Sequence, residues 1–114
     1  MKIIITEKFS KDFVKIFKTD SLVNNFCNFL EDKLYNIIDL KFPYSKIKLK
    51  FLWINIRLII YIWNQDFLIP IFIIKKVDKK YWMNLVLNKD IINILEKNLE
   101  ITFDNIKNNK YKIH

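Results

Sequence analysis

Between residues 46 and 63 the chain alternates with a period of two, and this pattern constrains its fold more than any other feature. Ile47 and Leu49 alternate with Lys46, Lys48 and Lys50; further on, Ile56, Leu58, Ile60 and Ile62 fall on one side and Arg57, Ile59, Tyr61 and Trp63 on the other. Successive side chains of an extended strand point to opposite faces, so the first run reads as a strand with one buried and one wet face. In the second run, the set at 56, 58, 60 and 62 suits packing on helices. The set at 57, 59, 61 and 63 suits a partly exposed groove. Residues 67–74 are nearly all apolar, as a central strand is, and Pro70, which cannot donate a ladder hydrogen bond, marks a bulge or a free edge. Asn64, Gln65 and Asp66 supply a hairpin turn before them. The runs 46–50, 56–63 and 67–74 are therefore expected to lie side by side as antiparallel strands.

The flanking segments read as a short strand and helices. Residues 2–6 (KIIIT) are β-branched and suit a first strand. Ser10 is placed to cap a helix, with Asp12 in its first turn and Phe13, Ile16 and Phe17 at helical spacing. Thr19, Asp20 and Ser21 break that helix and start a second. There Val23, Phe26, Leu30, Leu34 and Ile37 form one stripe, with Asn24, Asn25, Asn28, Glu31, Asp32 and Lys33 mostly on the other face. Pro43 ends the helical region. Near the C-terminus Asn88 suits an N-cap and Asp90 the first turn, and Ile91, Leu95, Leu99, Phe103 and Ile106 step along one helical face towards Lys107 and Lys110. The remaining tail is expected to fray. The order is β-α-α-β-β-β-α. This is an α+β fold, a small antiparallel sheet packed against an N-terminal helical hairpin and a C-terminal helix, in one domain spanning residues 1–114.

Charge is concentrated on the strands. Residues 41–80 carry eight Lys and Arg57 against Asp66 and Asp78, which accounts for seven of the formal +8. Such a field points to a polyphosphate partner. Cys27 is the one cysteine, so there is no intramolecular disulfide and no cysteine metal cluster, and its place beside the helical stripe makes it a small buried hydrophobe. Three consecutive Ile near the start are too short for a signal segment. The apolar window over 51–74 is broken by Asn55, Arg57 and the turn at 64–66, which a membrane span does not carry. With 52% hydrophobic residues disorder is disfavoured, and a soluble, cytoplasmic protein away from the membrane is expected.

Lys48 and Lys50 separated by one residue, Arg57 seven positions after the second, a basic residue at the end of the next strand (Lys75 or Lys76) and an aromatic beyond it (Tyr81 or Trp82) together resemble the RelE/ParE superfamily of toxins from toxin–antitoxin pairs, and its RelE-like branch in particular. The resemblance is detailed over 46–82 and extends to the flanking elements only in type and order. Two features depart from it: lysine stands where the family commonly has a second arginine, so a planar bidentate fork is lost, and the hairpin contains no glycine. The resemblance implies an endoribonuclease that cuts mRNA on the ribosome, a cognate antitoxin that is acidic and folds as it binds, and no metal or other cofactor.

Cutting RNA without a metal needs a base for the 2′-OH, positive groups on the crowded phosphate and an acid for the 5′-oxygen. The chain has a single His, His114, read as a tail residue, and only Asp66 and Asp78 in the basic segment. Clustered lysines lower one another's pKa and can take the base's part. On this reading Lys48 or Lys50 is the base, Arg57 with Lys75 or Lys76 holds the phosphate and serves the leaving group, and Lys46, Lys79, Lys80, Tyr81 and Trp82 bind RNA, an aromatic stacking on a base. Tyr61, Trp63 and Trp53 read as core. The plain alternative for the lysines is a solvated strand face that guards against edge pairing. Two other functions stay open: a ParE-like toxin that poisons gyrase without nuclease chemistry, and a non-toxic basic nucleic-acid-binding protein.

Overall fold

The computed structural model describes residues 2–34, 38–39, 44–63, 66–75 and 89–114. The chain runs β1 (Lys2–Thr6), α1 (Glu7–Phe17), α2 (Val23–Asp32), β2 (Ile38–Asp39), β3 (Tyr44–Phe51), β4 (Ile54–Trp63), β5 (Phe67–Lys75), α3 (Lys89–Lys107) and β6 (Tyr111–Ile113). The expected α+β fold is present. The three expected runs are adjacent and antiparallel as β3, β4 and β5, within a six-stranded sheet of order β2-β3-β4-β5-β1-β6. The sheet is not wholly antiparallel, because β1 lies parallel to β5, with Lys2 opposite Phe67 and Ile3 opposite Leu68.

Strand parity divides the core into two layers. Ile47, Leu49, Phe51, Ile56, Leu58 and Ile60 face α1 and α2, where Phe9, Phe13, Phe26 and Leu30 are fully buried against them. The rings interlock: Phe13 lies 5.3 Å from Phe26, and Phe26 meets Phe51 edge-on at 5.2 Å. Offset and edge-to-face aromatic contacts of this kind add about 0.5–1.5 kcal/mol each beyond area burial. On the opposite face Tyr44, Ile59, Ile71 and Ile74 pack with Leu95 and Leu99 of α3.

Helix boundaries differ from expectation for local reasons. Helix α1 is capped by Thr6, not Ser10: the last residue of β1 accepts a hydrogen bond from the Phe9 N–H at 3.2 Å, so strand passes directly into helix. The expected cap at 19–21 is a turn, in which the Thr19 and Ser21 hydroxyls bond each other at 2.9 Å, and Leu22 precedes α2 without a side-chain cap. Helix α2 stops at Asp32, so Leu34 packs on the core from beyond its end. Ile37, Pro43, Asn64, Gln65 and Asn88 lie outside the described residues.

Pro70 marks a bulge, as its missing N–H demands. Ile59 pairs with Phe72 and Ile60 with Pro70, so Ile71 is the extra residue. The carbonyl of Ile71 accepts a hydrogen bond from Lys8 Nζ at 3.0 Å, and that ammonium also pairs with Asp12 at 2.6 Å. The C-terminal tail does not fray. After Asn109, at φ 59°, the chain turns back along the outer edge of β1, placing Ile113 opposite Ile4 and Tyr111 opposite Thr6. His114, expected as a loose tail residue, donates its N–H to the Ile3 carbonyl at 2.8 Å and accepts from the Ile3 N–H at 2.9 Å. Among the described residues no helix is long and apolar enough to cross a membrane.

Candidate functional site

The site is built by a tight hairpin. Phe51 pairs with Ile54, leaving Leu52 and Trp53 as a two-residue turn at φ 50° and 67°. Two successive positive φ values define the type I′ geometry, whose twist matches that of the flanking strands. This register sets every pair that follows: Lys50 faces Asn55, Lys48 faces Arg57 and Lys46 faces Ile59. Directly opposed residues share a face, so Lys46, Lys48, Lys50 and Arg57 stand together on the side away from α1 and α2.

The electrostatics follow from this placement. Arg57 is 8% exposed, whereas Lys48 and Lys50 are exposed and Lys46 is half-buried. Like charges directly opposite each other in an antiparallel pair repel, and Lys48 and Arg57 are so placed. Lys46 carries the consequence: partial burial lowers its pKa from the usual lysine value, and the positive charges of Arg57 and Lys48 lower it further. At the other end of the row, Lys50 Nζ lies over the Trp53 ring, 5.3 Å from its centroid. Tyr44, where the row begins, has its phenol pKa raised by burial and then by the carboxylate of Glu96 on α3 and by Tyr61.

The other sequence-predicted residues fall differently. Lys75 pairs with Ile56, which faces α1 and α2, so it stands on the opposite face of the sheet from Arg57. Lys76, Lys79, Lys80, Tyr81 and Trp82 lie outside the described residues. The groove expected along 57, 59, 61 and 63 is largely filled by α3. Ile59 is 1% exposed, and Phe103 stacks edge-on against Tyr61 at 5.4 Å and Trp63 at 6.1 Å. Among the described residues, the cationic row is open at the end nearest the turn, at Lys48 and Lys50.

Trp53 overturns its reading as a core residue, for it is 88% exposed at the tip of the hairpin, beside Leu52 at 52%. Trp63, also read as core, is 41% exposed. The signal for Trp53 lay in the parity of the buried positions. Those at 47, 49 and 51 are odd and those facing the same helices at 56, 58 and 60 are even, a switch that a two-residue turn at 52–53 produces. Two bulky apolar residues in place of Asn-Gly concealed it.

Cys27 is buried, and desolvation, with a smaller contribution from Glu31, pushes its thiol up to about 12. Only the thiolate is nucleophilic, so alkylation of the native protein at neutral pH is expected to be very slow and to become fast in denaturant. Prompt labelling of the folded chain contradicts this placement.

Among the described residues, no group of three or more His, Cys, Asp and Glu is placed to hold a metal ion. A pocket of about 460 Å³ lies against the N-terminal helices and β6, with Glu7, Ser10, Asp20 and His114 in its lining. It contains none of the predicted site residues. The site is thus a cationic strand row ending in an exposed aromatic turn, on an α+β scaffold. Comparison of the chain with protein-family models, curated proteins and solved structures found no match.

Proposed function

We propose that the protein is a metal-independent endoribonuclease of the RelE-like kind, the toxin of a toxin–antitoxin pair, cutting mRNA at the cationic row of β3 and β4. The observation that carries this reading is the opposition of Lys48 and Arg57 across the hairpin, in a row with Lys46 and Lys50. Four cations side by side on one face of a hairpin form a concentrated positive field whose natural partner is a phosphate backbone.

In the reaction, a lysine present as the free amine takes the proton of the ribose 2′-OH, and the resulting oxygen attacks the adjacent phosphorus. The P–O bond to the 5′-oxygen breaks, that oxygen takes a proton from a neighbouring ammonium, and a 2′,3′-cyclic phosphate and a 5′-hydroxyl remain. Lys48 or Lys50 is that base, and Lys46 beside them contacts the RNA backbone. Arg57, in its low-dielectric position, stabilises the charge that develops on the phosphorane.

The test is induced expression followed by primer extension on a reporter mRNA. Growth arrest with discrete cuts in translated message, both reversed by co-expression of an acidic partner protein, is the expected result. Arrest with intact message and inhibited gyrase replaces this function with the gyrase-poisoning one. Harmless expression with intact message rejects both.

A further inference from the structure

We propose that Trp53 is a nucleobase-stacking platform at the open end of the lysine row, so that single-stranded RNA runs along β3 with its phosphates on Lys46, Lys48 and Lys50 and one base against the indole. This deepens the nuclease reading and rests on it for the identity of the polymer. The turn itself is the first observation. Both of its residues hold positive φ, a conformation in which a side chain larger than glycine is disfavoured, yet the two are leucine and tryptophan. Neither is buried in return: Leu52 is 52% and Trp53 88% exposed, so packing within the chain does not account for them.

The second observation is the approach of Lys50. Its ammonium lies over one face of the Trp53 ring at 5.3 Å, and with the residue 88% exposed the other face is open to solvent. A base stacked on that open face has its own phosphate within one nucleotide of Lys50. The third is the spacing. Lysines at alternate positions of one strand stand about 6.5–7 Å apart, a step comparable with one nucleotide of an extended chain. Stacking tolerates every base, so such a track recognises single strands with little sequence preference. A lipid surface is the other anionic partner that an exposed Leu-Trp tip could meet. The row argues against it, because Lys46 stands about 13 Å behind Lys50 along the strand, away from the tip. An extended polymer uses all three lysines, whereas a membrane meets only the tip and Lys50.

The experiment uses the purified full chain and a short fluorescent single-stranded oligonucleotide with 2′-O-methyl riboses. This probe cannot be cleaved, because its attacking hydroxyl is blocked. The wild type is expected to bind, with Trp53→Ala weaker by roughly tenfold and Trp53→Phe retaining most of the affinity. Trp53→Ala removes no charge, so its salt dependence should match the wild type, while Lys48→Ala and Lys50→Ala each lower the salt slope by about one. Equal affinity for wild type and Trp53→Ala overturns the proposal, as does failure of the wild type to bind. Vesicles of mixed neutral and anionic lipid that bind the wild type and lose Trp53→Ala, with oligonucleotide affinity unchanged, reassign the tip to a membrane and also overturn it. Since the probe is uncleavable, loss of the nuclease reading leaves this result standing. Cleavage of unmodified RNA with Trp53→Ala unaltered in both assays sinks the platform alone.

Discussion

Arg57→Ala is expected to reduce RNA cleavage by on the order of 10²–10³, about 3–4 kcal/mol of transition-state stabilisation. If Arg57 stabilises the transition state, its guanidinium interacts more strongly with the phosphorane than with ground-state RNA, so the loss should fall on the cleavage rate and little on binding of an uncleavable oligonucleotide. Arg57 is 8% exposed, so its truncation also removes packing, and survival of the fold is read separately from the urea midpoint of the variant. Arg57→Lys should recover only part of the rate, because a point charge does not reproduce a planar fork. Lys48→Ala and Lys50→Ala should each slow cleavage, and their double variant should fall short of additivity if they act as one unit. Lys33→Ala and Lys97→Ala remove the same charge outside the strand row and serve as controls that stay toxic. If they weaken toxicity as much as Arg57→Ala does, general basicity is the cause and the catalytic role is wrong.

Replacing the turn Leu52-Trp53 by Asn-Gly is expected to stabilise the protein while abolishing the stacking contribution. Holding two bulky residues at φ 50° and 67° costs about 1–2 kcal/mol per residue. Asn-Gly is the preferred pair for this turn and relieves most of that cost. Against the gain stand the extra freedom of glycine in the unfolded chain, about 0.5–1 kcal/mol, and loss of the exposed Lys50–Trp53 contact, of similar size. The balance is a gain of about 1–2 kcal/mol, read as a higher urea midpoint at unchanged slope. Stability rising as oligonucleotide affinity falls is the signature of strain kept for binding. A variant less stable than the wild type shows instead that the two side chains support the fold.

The three central strands β3, β4 and β5, their adjacency and their inner faces were legible from the sequence because their patterning is a local property. Ile47, Leu49, Ile56, Leu58 and Ile60 declare a buried face whatever they pack against. Pro70 likewise announced a bulge or a free edge, since a missing N–H cannot serve a ladder, and the structure has the bulge. The pairing of Lys48 with Arg57 was implicit in the spacing 48, 50, 57, but only the length of the turn made it definite. A loop longer by one residue shifts the register and moves every partner. Contacts between distant segments were decided by the tertiary structure alone. Residues 111–113 have no strand pattern of their own and become β6 because β1 offers an open edge. Lys75 reads as a partner of Arg57 along the chain, yet its pairing with Ile56 sets it on the other face. Trp53 looks like core by composition and is exposed because the hairpin closes at its own backbone, leaving its side chain beyond the last strand pair. Composition and periodicity specify which residues leave water; which charges meet, and which aromatic remains outside, depends on register and on edges that only the folded chain brings together.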